Sequence, residues 1–210
     1  MLQQFQPLGG DRENQLVVIE GEKSLARWVA LGQQQADRLG VTAVPIVVRD
    51  RRDAESADLA ALVEGAGLIY LSGGNPPYLA ETLRGSRVWA AIHDAWQAGA
   101  ALAGCSAGAI ALTSWVPHLR NPLRAPDPGL DVVPHVRVIP HFDKFLGWMP
   151  DLIDRFLAKA PPGVTVLGID EDTALVGDHG TWTVHCRQSA WVIGGDRRVG
   201  YAAGEVIPLS

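Results

Sequence analysis

Ser106 stands inside Gly104-Cys105-Ser106-Ala107-Gly108, walled by glycine and alanine between two apolar runs, "GAALAGC" and "AGAIAL". A lone hydroxyl among small residues suits nucleophilic attack where a strand turns sharply into a helix, because small neighbours let the turn tighten and lift Oγ clear of the backbone. The backbone N–H of Ala107, at the start of that helix, would then point to where an oxyanion forms. A serine that merely caps a helix would show the same five residues, so the pattern needs partners before it implies chemistry. Leu71-Ser72-Gly73-Gly74-Asn75 offers a second amide donor, since Gly73 and Gly74 end the neighbouring predicted strand on the same carboxyl edge.

A serine nucleophile needs a base, and the six histidines are His93, His118, His135, His141, His179 and His185. His93 falls mid-helix, His118 in a long loop, His135 before a strand, His179 in a turn and His185 within a strand. His141 alone closes an apolar strand, "VRVIPHF", in a parallel-sheet setting. An acid should orient its imidazole, and "GIDED" places Asp170, Glu171 and Asp172 at another strand end. Three adjacent carboxylates resist joint burial; one turned inward against His141 and two in solvent would reconcile them, and periodicity leaves open which. Cys105 is the weaker nucleophile, falling one residue short of the apex of the turn.

The elements that must position these groups follow from the patterning. Strands are expected at residues 16–20 ("LVVIE"), at 42–48 ("TAVPIVV", with Pro45 marking an edge or irregular position), at "GLIYL" and at "AALAGC". Between them lie a helix from Ser24 through Leu25, Trp28, Val29 and Ala36 to Gly40, a helical stretch opened by Ser56, and helical spacing from Tyr78 to Trp96 broken near Gly85. After Ser106 a helix runs to about Ser114. A loop over 115–135 with five prolines then reads as a functional or variable excursion. "VRVIPHF" is a strand, "MPDLIDRFLAKA" a helix, and "VTVLGIDEDTALV", "TWTVHC", "SAWVI" and "AGEVIPL" carry the remaining strands, with "GDHG" and "GGDRR" as turns. Repeated βα alternation gives an α/β fold: a mostly parallel sheet flanked by helices on both faces, with antiparallel C-terminal strands, in one domain over residues 1–210.

Hydrophobic residues at 47% and charged residues at 20% describe a compact soluble chain. A net charge of −5 argues against a general binder of nucleic acid or anionic membrane, and the basic stretch Arg49 to Arg52 reads as a solvated loop. The two cysteines, Cys105 and Cys186, make no disulfide framework and have no metal-ligand spacing. With no basic-then-apolar leader and no apolar run near the ~20 residues of a membrane span, a cytoplasmic location is expected.

Together and in this order, "LSGGN", "GCSAGA", "IPHFD" and "GIDEDTALV" resemble the serine peptidase family of aspartyl dipeptidase (peptidase E) and cyanophycinase. The resemblance implies a class I glutamine amidotransferase-like fold and a Ser-His-Glu order. By motif, Ser106 is the nucleophile, His141 the base and Glu171 the acid, while Gly74 and Ala107 match the oxyanion donors. In the dipeptidase branch an Asn after Gly-Gly and an Arg on the helix after the catalytic His hold the substrate's N-terminal aspartate; Asn75 matches the first, and Arg155 either matches the second or makes a surface ion pair with Asp151 one turn earlier. The reaction implied is hydrolysis of small peptides, chiefly dipeptides with N-terminal aspartate, with no metal or organic cofactor. The implied partner is a small peptide substrate, with no nucleic acid and no membrane, and the assembly considered is a homodimer. Cyanophycinase-like cleavage of β-aspartyl-arginine is the second enzyme reading. It fits less well where "HFDKFLGW" has Lys144 followed by apolar residues instead of arginines. A non-catalytic ligand-binding protein of the same fold is the third. "QFQPLGG" and "VVIEGEKS" depart from the family's usual opening strand and Pro-Thr-Ala segment.

Overall fold

A computed structural model of the chain describes residues 15–20, 25–118, 124–144, 162–178, 180–194 and 197–208. It is a mixed α/β structure whose described residues group into two compact units, one drawn from Phe5–Leu112 and Val116–Leu130, the other from Thr113–Trp115 and Asp131–Ser210.

The first unit carries a four-stranded sheet of β1 (Gln15–Glu20), β2 (Thr42–Val47), β3 (Leu68–Leu71) and β4 (Ala101–Gly104) in the order β2-β1-β3-β4. Every pair in it is parallel. Helices connect the strands: α1 (Leu25–Leu39), α2 (Arg51–Ala54), α3 (Ala57–Ala61), α4 (Pro76–Leu83) and α5 (Arg87–Gln97). Pro45 lies on β2, at an end of this strand order, where its missing N–H interrupts no ladder. Ile46, Ile69 and Leu71 are fully buried, so the apolar runs that suggested strands do supply core. Side-chain oxygens of Asp50, Ser56, Asn75 and Ser86 cap α2 to α5, each accepting an N–H of the first turn.

Two expectations shift in this unit. Arg51 belongs to the one-turn helix α2 instead of a solvated loop. Its guanidinium donates to the carbonyls of Arg84 (2.6 Å) and Gly85 (3.1 Å), groups that the end of α4 leaves without helical partners. The helix after Ser106, α6, is also shorter than expected, covering Ala107–Ala111. The Ala111 carbonyl accepts the Leu130 N–H at 2.7 Å, an acceptor that a longer helix would have used internally. Beyond it, β5 (Trp115–Val116) and β6 (Asp127–Pro128) form a short ladder inside the proline-rich stretch. His118, read as a loop residue, is largely covered and its Nε2 lies 2.9 Å from Asp127 Oδ2.

The second unit holds β7 (Val136–Pro140) and β8 (Thr165–Ile169), a parallel pair. The chain continues through β9 (Thr173–Asp178), β10 (Thr181–Cys186), β11 (Ala190–Gly194), β12 (Arg197–Tyr201) and β13 (Val206–Pro208). One sheet runs β12-β11-β8-β7 and another β13-β10-β9, with every pair except β7·β8 antiparallel. Part of "GGDRR", taken as a turn, extends into β12 along β11. Val136, Leu167, Val184, Ala190 and Ile207 pack as one apolar cluster and Ile139, Phe142, Val166 and Ile193 as another. The expected helix "MPDLIDRFLAKA", with Arg155, and the segment "QFQPLGG" lie outside the described residues. Among the described residues no helix is long and apolar enough to cross a membrane.

Candidate active site

The serine sits where the expected turn should be. Parallel β3 and β4 are in register with Leu71 opposite Gly104, and the Cys105 N–H extends the ladder to the Leu71 carbonyl at 2.9 Å. Ser106 follows immediately, at φ 51° and ψ −110°, and α6 begins at the next residue. A positive φ is costly for a residue with a Cβ, about 1–3 kcal/mol, and persists only when surroundings impose it. Here they do. A Cβ on Gly108 would come 2.2 Å from the Leu71 carbonyl oxygen, and one on Gly104 would come 2.6 Å from the Gly108 carbonyl carbon. Both glycines are therefore required by close backbone approach, which presses α6 onto β3 and leaves the chain one sharp residue in which to turn. Ser106 makes no side-chain capping bond, so the helix-cap reading of this serine does not hold.

The Ser72-Gly73-Gly74 loop leaves β3 beside that turn. A Cβ built on Gly73 would lie 3.6 Å from Ser106 Cβ and 3.9 Å from Oγ, so a side chain at this position would sit at van der Waals range of the hydroxyl and glycine leaves that space open. Gly74 has φ 133°, a conformation that L side chains rarely adopt. Ala107 is buried in the first turn of α6. Asn75 is exposed and caps α4, its Oδ1 accepting the Tyr78 N–H at 3.4 Å.

The base and acid candidates lie in the second unit. β7 and β8 are in register with Pro140 opposite Ile169, so His141 and the "DED" run leave the same carboxyl edge. His141 has φ 54°, and its carbonyl accepts the Lys144 N–H at 3.0 Å. Phe142 behind it is fully buried, and its ring occupies the space a Cβ on Gly168 would need, 2.5 Å away. His141 Nδ1 lies 3.3 Å from Glu171 Oε1, with both side chains a little under half exposed.

The three acids divide differently from the simplest expectation. The inward one is Asp170, 8% exposed, but it does not face His141: Trp191 Nε1 donates to its two oxygens at 3.1 and 3.0 Å and the Ser189 N–H to Oδ2 at 3.3 Å. Glu171, half in solvent, is the partner of the imidazole. Asp172, at φ 54°, turns outward and pairs loosely with Arg187 at 3.6 Å.

Sequence reasoning singled out neither Asp143 nor its alliance with Lys144. Asp143 Oδ1 accepts the backbone N–H of Glu171 at 3.0 Å, and Lys144 Nζ lies 3.2 Å from Asp143 Oδ2 and 3.8 Å from Glu171 Oε2. Burial pushes the Asp143 carboxyl up, but the Glu171 N–H and the Lys144 ammonium outweigh it and leave the group below the usual aspartate range. Asp143, by hydrogen bond and charge, with help from the charge of Glu171, holds Lys144 above the usual lysine range. The only signal in the sequence was the final Asp of "IPHFD", and a charge two residues past a histidine reads equally as surface.

The structure thus brings His141 to Glu171, and the Gly73 backbone to Ser106, within their respective units. The sequence places this fold and these residues in a known family: residues 28–184, a span containing Ser106, His141 and Glu171, match peptidase family S51, and the chain belongs to it. It is 31% identical over 165 residues to the cyanophycinases of Synechococcus elongatus and Thermosynechococcus vestitus (strain NIES-2133 / IAM M-273 / BP-1), covering 74% of this chain and 50% of each relative. The chain therefore spans about half the length of these curated relatives. It is similar to the crystal structure of a peptidase from an acI-B1 actinobacterium, at 38% identity and TM-score 0.84 over 94% of this chain and 84% of that one. A crystal structure of a candidate peptidase E protein from Listeria monocytogenes EGD-e shares the fold at TM-score 0.57 and 14% identity, over 97% of this chain and 90% of that one.

Proposed function

We propose that this chain is a serine peptidase of small peptides in which Ser106, His141 and Glu171 act as a triad. The observation that carries the reading is Ser106 at φ 51°, forced into a sharp strand-to-helix turn by the Gly108–Leu71 approach. That geometry has no use as a helix cap and is the one a serine nucleophile needs. The His141 Nδ1 to Glu171 approach of 3.3 Å supports the rest: with Nδ1–H directed at the carboxylate, Nε2 is the basic nitrogen.

In this mechanism Nε2 takes the Ser106 proton as Oγ adds to the scissile carbonyl. Glu171 stabilises the imidazolium, and the Gly74 and Ala107 N–H groups hold the oxyanion. Collapse breaks the C–N bond, the amine leaves with the proton from His141, and an acyl-enzyme remains. Water, deprotonated by His141, then releases the acid and restores Ser106. No metal or organic cofactor is needed. The reading carries with it the class I glutamine amidotransferase-like arrangement, one domain with helices on both sheet faces, and a cytoplasmic protein that could pair as a homodimer.

The substrates we favour are dipeptides with N-terminal aspartate. Asn75 is exposed, and with Oδ1 committed to Tyr78, its amide nitrogen is the end that would donate to a substrate carboxylate. The part given to Arg155 rests on the resemblance alone. A second reading, cleavage of β-aspartyl-arginine, is favoured by the identity to cyanophycinases. Parallel assays on Asp-Leu and β-aspartyl-arginine separate the two. Ser106→Ala should abolish turnover of whichever is cleaved and abolish labelling by a serine-directed phosphonate. Equal turnover by wild type and Ser106→Ala would refute the mechanism, and a wild-type protein inert to phosphonate and both peptides would favour a non-catalytic binder.

A further inference from the structure

The parallel ladder that aligns the His141 and Glu171 segments stops at Pro140 and Ile169. Past that point the two segments form no further strand pair, and the proposed imidazole and its carboxylate lie just there. A side chain links them there: Asp143 Oδ1 accepts the Glu171 N–H at 3.0 Å. The bond runs from the residue two past the base to the backbone of the acid itself, so it fixes the distance between the two turns. Asp143 is anchored in turn by the fully buried Phe142 preceding it and by Lys144, whose ammonium also lies 3.8 Å from Glu171 Oε2. Asp170 accepts N–H groups as well, but they come from Trp191 on β11 and from Ser189 just before it, and not from the imidazole segment. Glu171 and His141 are both a little under half exposed, so packing alone does not hold their side chains, and a clasp on the Glu171 backbone adds a constraint where packing is thin.

We propose that Asp143 is a positioning residue for the triad: its carboxylate extends the β7·β8 register by one side-chain hydrogen bond and so holds Glu171 against His141 Nδ1. The inference rests on the Ser106–His141–Glu171 reading. The role needs an acceptor oxygen and not a negative charge, so an isosteric carboxamide should fill it. Misplacement of a catalytic group by about 1 Å costs on the order of 100-fold in rate, and loss of the clasp should approach that.

The test measures fluorophosphonate labelling at Ser106, split into a maximal rate and a half-saturating concentration, which needs no knowledge of the natural substrate. Rates are referred to sites titrated at the end point, so only folded protein counts. Asp143→Ala should lower the maximal rate roughly 10- to 100-fold and leave half-saturation within about 2-fold, because the clasp does not touch the reagent. Asp143→Asn should recover to within about 3-fold of wild type. Glu171→Ala is the reference for losing the acid outright. If it slows labelling while Asp143→Ala does not, the positioning role falls and the triad stands. An Asp143→Asn variant as slow as Asp143→Ala also overturns the role, since charge would then be what matters. If Glu171→Ala labels like wild type, the triad reading fails and takes this inference with it.

Discussion

The Ser106 conformation can be tested as stored energy, without reference to any substrate. At φ 51° and ψ −110° the residue occupies a region that glycine enters freely and alanine does not. Replacing Ser106 by Ala or by Gly removes the same hydroxyl and its interactions, so the difference between the two variants isolates the backbone. Relief of the strained φ in the glycine variant should return about 1–3 kcal/mol, and the greater freedom of glycine in the unfolded chain should take back about 0.4–1 kcal/mol. The net expectation is a Ser106→Gly protein more stable than Ser106→Ala by roughly 1 kcal/mol, which for a chain of this size is about 2–4 °C in Tm. Thermal unfolding of both variants by circular dichroism, with a denaturant titration to check the sign, reads this directly. Both should be inert to phosphonate, so the stability difference between them is read without any difference in activity. Equal Tm values, or a glycine variant that melts first, would show that the turn stores no strain and would remove the argument that the fold imposes the conformation of Ser106.

Four further outcomes follow from the same geometry. Gly108→Ala puts a Cβ 2.2 Å from the Leu71 carbonyl oxygen and should cost about 1–3 kcal/mol by overpacking, seen as a Tm drop; a Tm within about 1 °C of wild type would count against the close approach. Gly73→Ala, whose Cβ would find 3.6 Å to Ser106 Cβ and 3.9 Å to Oγ, should leave Tm nearly unchanged and slow phosphonate labelling, and a loss of stability instead would contradict the space assigned there. Asp170→Ala leaves the Trp191 indole and Ser189 amide without their acceptor and should destabilise by about 1–3 kcal/mol, checked by urea unfolding. For Asp143, whose pKa is depressed in the fold, the stabilising contribution is full above the ordinary aspartate range and is lost as pH falls through the lower folded value. Acid unfolding profiles of wild type and Asp143→Asn should therefore converge at low pH and separate as pH rises toward neutrality, and parallel profiles would refute this linkage.

The parts of this molecule that the sequence makes legible are those whose causes are local. Gly104, Gly108 and Ser106 lie within five residues, and the steric need for small side chains at a tight turn can be read from that string alone. Pro45 on an outer strand of its sheet and Asn75 capping a helix that opens with two prolines follow from single-residue chemistry in the same way. What periodicity could not supply are outcomes decided by distant partners. Arg51 reads as a surface cation until the end of α4, more than thirty positions away, presents its carbonyls. The early end of α6 depends on the Leu130 N–H reaching the Ala111 carbonyl. Asp143 acquires meaning only when the Glu171 backbone is brought to it across a separation of 28 residues.

The "DED" run shows why electrostatic reasoning from sequence went halfway. Like charges in succession must separate, and one acid does turn inward, as desolvation arguments require. The step that fails is the assumption that the inward acid serves the histidine. Asp170 can be buried because an indole N–H and a backbone N–H satisfy it, and those bonds tie its lone pairs to the sheet. An acid so committed has little left to offer an imidazolium whose charge comes and goes during a reaction. Glu171 is suited to that task because Oε1 is left to the imidazole: its backbone is clasped by Asp143 and Oε2 lies 3.8 Å from Lys144 Nζ, while Oε1 faces His141 Nδ1 at 3.3 Å. One carboxylate stabilises the sheet end and its neighbour is left for the role proposed for it, a division that the alternating direction of successive residues at a strand end makes available. The sign of charge at these positions is therefore less informative than which N–H groups reach them.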